Sequence, residues 1–149
     1  MKNDLFYLAL ALITGALIPI QAATNTAFSK SVGSASSTGL MVFIIALASM
    51  IVFALLTRTP IPDRQQLTSV PLYSYLGGII VATYVVMITI LVPKIGVGTA
   101  IGLIVTGQIF CAIAIDHFGL FNVVVRSITM TRFAGMLLMV AGVYLVMRK

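Results

Sequence analysis

Residues 38–57 read TGLMVFIIALASMIVFALLT, and none of these twenty side chains is charged. A helix needs about 20 predominantly apolar residues to cross the hydrocarbon core of a bilayer. This stretch has that length and composition, so it predicts a transmembrane helix. A segment rich in small residues, 31–37, precedes it, and the longest polar connection of the chain, 58–71, follows it.

The composition of the whole chain points to the same environment. Of the 149 residues, 60% are hydrophobic and 8% are charged, and Glu does not occur. Soluble domains carry about a quarter charged residues, so this deficit excludes a soluble fold. The net charge is +6, but the basic residues stand at the ends of apolar runs and mark membrane boundaries. We therefore expect no nucleic-acid partner.

Apolar runs of membrane-spanning length occur five times. We predict an all-α integral membrane protein with five transmembrane helices, at about residues 5–28, 38–57, 72–92, 97–115 and 132–147. Pro93, Lys94 and Gly96 predict a tight turn between the third and fourth helices, and residues 116–131 predict a mixed loop. No connection is long enough for a second domain, so we predict a single transmembrane domain over residues 1–149.

Two of these runs have alternative interpretations. The first run could be a signal peptide cleaved near Ala22 and Ala23. Its length, the acidic Asp4 in the leader and the polar residues on one helical face favour a retained helix. The last run is short, so four spans with a final surface helix are the second alternative. The face carrying Gly135 and Gly142, which we assign to helix packing, favours insertion together with the basic carboxyl terminus.

The basic residues divide almost equally between the two sides of the membrane. With five spans, one side carries five of them: Lys2, Arg58, Arg64, Arg126 and Arg132. The other side carries four: Lys30, Lys94, Arg148 and Lys149. The distribution of Lys and Arg between loops sets the orientation of a membrane protein. A difference of one therefore predicts insertion in both orientations, or an orientation decided by something other than charge.

Polar residues and a proline mark the first predicted helix. Four positions recur at helical spacing along one stripe: Thr14, Ile18, Gln21 and Asn25. Pro19 lacks a backbone donor and leaves the Gly15 carbonyl without its usual partner. A kinked helix with amide side chains on one face is suited to line a polar cavity. Gln21 and Asn25 could equally hydrogen-bond neighbouring helices and serve only in packing.

The third and fourth predicted helices carry further candidates near mid-depth, namely Thr83, Tyr84 and Gln108. An amide near the midplane needs hydrogen-bond partners, so Gln108 is a candidate solute ligand. Tyr84 could stack on a ligand, or it could equally be a core aromatic whose hydroxyl bonds a carbonyl. Gly98, Gly102 and Thr106 form a strip of small residues that predicts close helix packing.

Asp116 and His117 close the fourth predicted helix. Here a carboxylate near the hydrophobic region lies beside the only histidine, which makes a candidate proton-responsive pair because His titrates near neutrality. We favour an ordinary interfacial helix end that meets water. Arg126 or Arg132, on the same side of the membrane, could also be the partner of Asp116. No phosphate-binding loop, metal-ligand spacing or catalytic triad motif occurs, so we predict no enzyme, cofactor or metal site.

Six segments together carry a family resemblance. They are GALIPIQAATNT at 15–26, SKSVGS at 29–34, YLGG at 75–78, LVPKIGV at 91–97, TGQ at 106–108 and IDHFGL at 115–120. In this order, along nearly the whole chain, they resemble the YdcZ family of the drug/metabolite transporter superfamily. Larger members of that superfamily contain two five-helix halves of opposite orientation. The resemblance therefore implies a half-size member that forms an antiparallel homodimer, or pairs with a homologous second chain.

Gln21 departs from one branch of that superfamily. The small multidrug resistance branch uses a membrane-embedded Glu in its first helix to bind cations and protons. Matching the turn at residues 30–33 places Gln21 near that position. Because an amide cannot exchange protons, the departure argues against proton-coupled cation export. With no acidic residue at mid-depth, a neutral or zwitterionic solute is favoured.

We expect a small-solute transporter of the bacterial inner membrane, working by alternating access as an antiparallel dimer. Its solute site would be lined by Gln21, Asn25, Tyr84 and Gln108. Its expected partners are a second copy or homologue, the solute and the lipid bilayer. The rival hypothesis is a non-transporting membrane subunit that packs with or regulates a partner protein.

Overall fold

The computed structural model describes the backbone of residues 2–148 and the side chains of residues 4–148. The Lys2 side chain and Lys149, two of the basic residues counted above, lie outside this description. The described chain is helical, with short 3-10 turns at Leu72–Tyr75 and Leu120–Asn122. Its α-helices are α1 Lys2–Val32, α2 Ala35–Thr57, α3 Arg64–Ser69, α4 Leu76–Ile95, α5 Val97–Phe118 and α6 Met130–Met147.

Every helix except α3 is long and apolar enough to cross a membrane. The third span begins at Leu72, because a 3-10 turn leads directly into α4. The outer surfaces of these helices are covered by large apolar side chains such as Leu12, Leu56 and Leu138, each more than 70% exposed. Water would disfavour such a surface, whereas lipid solvates it. The prediction of an all-α integral membrane protein with five spanning helices is confirmed.

Only Gly33 and Ser34 separate α1 from α2, where the sequence indicated a longer break. The Ser34 side chain caps α2 by accepting a hydrogen bond from the Ser37 backbone N–H at 3.1 Å. This cap satisfies a donor that the first turn of a helix leaves free. Both helices therefore extend beyond the apolar runs, through the serine-rich segment.

The expected turn at Pro93, Lys94 and Gly96 is shorter than predicted. Pro93 and Lys94 belong to the last turn of α4, and Gly96 alone separates α4 from α5. The fixed φ of proline is compatible with a helix, and the helical hydrogen bond it removes can be replaced in membrane proteins. Gly96 has a φ of +83°, a conformation that glycine adopts without steric penalty, so the chain can change direction there.

The predicted loop at 116–131 also begins later than expected. α5 continues through Asp116 and His117 to Phe118, and Gly119 ends it with a φ of +61°. A left-handed glycine is a common end to a helix. A Cβ atom at Gly119 would lie 2.7 Å from Cγ2 of Val125, so both the backbone and the space require glycine.

The polar connection 58–71 contains a helix that the sequence reasoning missed. Asp63 and Gln66 form a reciprocal capping box at its start: the Asp63 carboxylate accepts from the Gln66 N–H at 2.7 Å, and the Gln66 side chain accepts from the Asp63 N–H at 2.9 Å. The Tyr75 hydroxyl then donates to the Leu67 carbonyl at 2.9 Å. The pattern Asp-x-x-Gln was the available signal for α3.

The chain divides into two compact units, Met1–Pro93 and Lys94–Lys149. In the first unit α1 packs against α2, and a Cβ added to Gly39 of α2 would lie 3.0 Å from Cγ2 of Val86 in α4. In the second unit α5 packs against α6, and a Cβ on Gly102 would lie 3.4 Å from Cγ1 of Val143. The single transmembrane domain stays a prediction.

Candidate functional site

The buried face of α1 begins only in the second half of the helix. Its buried side chains are Ala22, Asn25 and Thr26. The predicted stripe is therefore divided, because Thr14 and Gln21 are exposed, Ile18 is half-buried and Asn25 is buried. At about 100° per residue, Gln21 lies roughly a quarter turn from the centre of the buried face. The i, i+4 spacing in the sequence had placed Gln21 and Asn25 on the same face of the helix.

Asn25 is buried and incompletely hydrogen-bonded. Its side chain is 6% exposed, and its Nδ2 atom has no hydrogen-bond partner among the described residues. Thr26, the next residue, is also buried, but its hydroxyl donates to the Ala22 carbonyl at 2.8 Å. Buried donors without partners are rare in proteins and need an explanation. Asn25 is therefore the strongest candidate on α1 for contacting a polar ligand.

Tyr84 presents a similar case on α4. Its residue is half-buried, and its hydroxyl oxygen is buried with no hydrogen-bond partner in the part of the chain that the structure describes. The buried hydroxyls of Thr38 and Thr89 differ, because they donate to carbonyls of the preceding turn at 2.8 and 2.7 Å. Thr83, also predicted to be near mid-depth, is exposed and donates to Ile79 at 2.9 Å.

Gln21 and Gln108 are both exposed. Each lies well inside a membrane-spanning helix, so its amide faces lipid unless another protein surface covers it. Gln21 belongs to the first unit, with Asn25 and Tyr84, whereas Gln108 belongs to the second. That these four residues form one solute site stays a prediction.

The residues assigned to kinking and packing have different surroundings. α1 continues through Pro19 without ending, and Gly15 has open space around it. Gly102 contacts Val143, whereas no atom would lie within 4 Å of a Cβ at the other assigned glycines, Gly98, Gly135 and Gly142. The close approach of Gly39 to Val86 was not anticipated.

Asp116 pairs with an arginine and not with its neighbour His117. Arg132 Nη1 lies 3.6 Å from Asp116 Oδ2, and it also donates to the Arg126 carbonyl at 3.5 Å. The His117 ring packs edge-to-face on Phe118 at 5.0 Å, and its buried Nδ1 has no partner among the described residues. Arg132 was one of the two partners that the sequence offered, and a proton-responsive role stays a prediction.

A groove between α5 and α6 is a feature that the sequence analysis did not identify. Its volume is about 400 Å³, and Asp116 and Arg132 line it together with apolar residues: Ile109, Ala112, Ile113, Gly135, Met136 and Met139. The small residues Ala112 and Gly135 leave room between the helices and were the only sequence signal. Among the described residues, His, Cys, Asp and Glu side chains form no metal-binding group of three or more.

Comparison with known proteins identifies the family. The family described as "Putative inner membrane exporter, YdcZ" matches residues 6–145, which is nearly the whole chain. No curated protein and no solved structure matches this chain significantly. The family description, with the five spanning helices, indicates a transporter of the inner membrane. The resemblance inferred from the sequence is thereby confirmed, and the chain belongs to the YdcZ family of inner membrane proteins.

Proposed function

We propose that this protein moves small neutral or zwitterionic solutes across the inner membrane by alternating access at the interface of an antiparallel dimer. One observation carries the proposal: the Asn25 side chain is buried and its Nδ2 lacks a partner among the described residues. An unsatisfied buried donor costs about 1–3 kcal/mol of stability. A carbonyl or carboxylate oxygen of a solute would accept this hydrogen bond.

Tyr84 supplies a second recognition group in the same unit. Its buried hydroxyl can donate or accept a hydrogen bond, and its ring can pack on the apolar part of a solute. The buried polar side chains of the described chain are all uncharged: Asn25, Thr26, Thr38 and Thr89. An uncharged environment disfavours a solute with an unpaired charge, so a neutral or zwitterionic solute fits it best.

The exposed amides supply the argument for a second copy. Gln21 and Gln108 lie within spanning helices, where lipid offers no hydrogen-bond partner. A second chain covering these surfaces would satisfy them and complete a polar site. The five-to-four distribution of basic residues supports insertion in both orientations, which an antiparallel pair requires. Sites at the interface of oppositely oriented repeats are typical of transporters with alternating access.

The proposal is tested by flux through liposomes that contain only this protein. The liposomes are loaded with a mixture of amino acids, amides, betaines and polyols, and mass spectrometry follows the loss of each compound. We expect protein-dependent efflux of one class, reduced at least tenfold by Asn25→Leu. Thr89→Val is the matched control, because Thr89 is also buried in the same unit but its hydroxyl donates a hydrogen bond within its own helix.

Two results would contradict the proposal. Efflux unchanged in Asn25→Leu would remove Asn25 from the solute site. Absence of protein-dependent efflux for every compound in the mixture would favour the rival function, a subunit that acts on a partner membrane protein. In that case Asn25→Leu should instead weaken capture of the partner.

A further inference from the structure

The groove between α5 and α6 has one charged end and one apolar end. Asp116 lies near the end of α5 and Arg132 near the start of α6, so both charges lie at a membrane boundary. Ile109 and Met139 are each seven residues away from these charges along their helices. Seven helical residues rise about 10 Å, so the groove leads from the boundary into the hydrocarbon region.

The two charges at the mouth are accessible to a ligand. Their N–O separation is 3.6 Å, and their side chains are 33% and 37% exposed. A direct hydrogen bond between an arginine and a carboxylate is shorter, about 2.7–2.9 Å. Exposed ion pairs of this kind contribute little stability. Asp116 and Arg132 can therefore separate, and each can bind an opposite charge on a ligand.

We propose that this groove binds a single phospholipid whose head group carries both a phosphate and a primary amine, as in phosphatidylethanolamine. The Arg132 guanidinium would bind the phosphate, for which its planar donors are well suited. The Asp116 carboxylate would bind the ammonium group. A lipid with a phosphate but no amine would leave Asp116 facing a second negative charge.

The rest of the groove suits the upper part of one acyl chain. Its lining beyond the ion pair is apolar, and the volume of the whole groove, about 400 Å³, lies within the usual range for small-molecule pockets. Gly135 has open space where a side chain would otherwise stand. Met136 and Met139 can adjust to a flexible chain, because methionine side chains are unbranched and polarisable. None of the residues that line the groove is among the solute-site residues proposed above.

Native mass spectrometry of the purified full-length protein tests the proposal. The protein is equilibrated in detergent with equal amounts of phosphatidylethanolamine and phosphatidylglycerol, and bound lipid is counted per chain. We expect one phosphatidylethanolamine per chain, held at least tenfold more tightly than phosphatidylglycerol. The double variant Asp116→Asn with Arg132→Gln should remove this preference. It leaves no unpaired charge, and circular dichroism checks that its helix content is unchanged.

A pair of glycine variants tests independently whether an acyl chain lies in the groove beside Gly135. Gly135→Leu places a side chain in the groove and should lower lipid occupancy at least fivefold. Gly142→Leu is the matched control, because Gly142 lies on the same face of α6, two turns further on, with equally open space but outside the groove. Equal occupancy in the two variants, equal binding of both lipids, or a preference for phosphatidylglycerol would overturn the proposal. Because lipid is counted directly, the result does not depend on transport.

Discussion

Two polar side chains of the first unit, Asn25 and Tyr84, are uncharged and have buried polar atoms, whereas the ion pair of the second unit, Asp116 with Arg132, is charged and open. Asn25 and Tyr84 keep buried polar atoms without partners among the described residues, while Asp116 and Arg132 meet at the mouth of a groove. The difference follows membrane depth. A charge at the bilayer centre costs far more than an amide or phenol, whereas at the boundary water and lipid head groups share the cost.

The comparison also separates two kinds of recognition. A buried amide without a hydrogen-bond partner can bind a polar group that enters the protein, so it suits a solute in transit. An exposed ion pair above an apolar groove suits a lipid that approaches from the side. The two groups of residues therefore point to different ligands. Variants at Asp116 and Arg132 should leave solute flux unchanged, and Asn25→Leu should leave the lipid bound.

The largest effect is expected from the two exposed glutamines. Gln21→Leu and Gln108→Leu should each lower solute flux at least tenfold, because each removes an amide that we place in the solute site. Thermal stability in detergent should stay equal or rise, since membrane hydrogen bonds average only about 0.6 kcal/mol and leucine is favoured in lipid. Flux in liposomes and melting temperature are measured together. Loss of both would instead indicate a packing role, and retained flux would exclude that residue from the site.

A second prediction concerns how the chain inserts. In a Cys111→Ser background, a single cysteine added at the carboxyl terminus should be labelled from both sides of the membrane. Adding three lysines to the connection 58–71 should shift at least nine-tenths of the population to one orientation, because Lys and Arg bias sets topology. Impermeant thiol reagents on intact and opened cells measure the fractions. One-sided labelling of the unmodified chain would exclude dual insertion.

A smaller effect is expected where helices approach most closely. Gly39→Leu should lower stability by about 1–3 kcal/mol, because a Cβ there already lies 3.0 Å from Cγ2 of Val86. Gly15→Leu is the control in the same unit, since nothing lies within 4 Å of a Cβ at Gly15. Melting temperatures of the two variants decide the point. Equal melting temperatures would mean that α2 and α4 adjust without strain.

The smallest effect on flux and stability is expected at Thr106, whose hydroxyl is hydrogen-bonded within its own helix. Thr106 donates to the Gly102 carbonyl at 2.8 Å, and that carbonyl can also take part in the helix ladder. Thr106→Val keeps the shape of the side chain and should change stability by less than about 0.6 kcal/mol and flux by less than twofold. A larger loss of flux would add Thr106 to the solute site and weaken the contrast between satisfied and unsatisfied polar groups.

Some features of the fold escaped the sequence reasoning for local reasons. Pro93 was expected to end a helix, but a proline in the last turn removes only one replaceable hydrogen bond. α3 was hidden inside a polar connection, although the capping pair Asp63 and Gln66 marks its start. In both places the pattern of apolar runs does not show where the helix begins or ends. The properties of single residues, namely proline and the capping pair, decide it.

The sequence by itself determined the five apolar spans, their approximate limits and the family, because a bilayer demands long uncharged helices and the family motifs run in order along the chain. Only the tertiary structure decided that Asn25 is buried while Gln21 is exposed, and that Asp116 pairs with Arg132. The physical reason is that lipid is as apolar as a protein core. Both faces of a spanning helix are therefore apolar, and periodicity does not reveal which face meets a neighbouring helix.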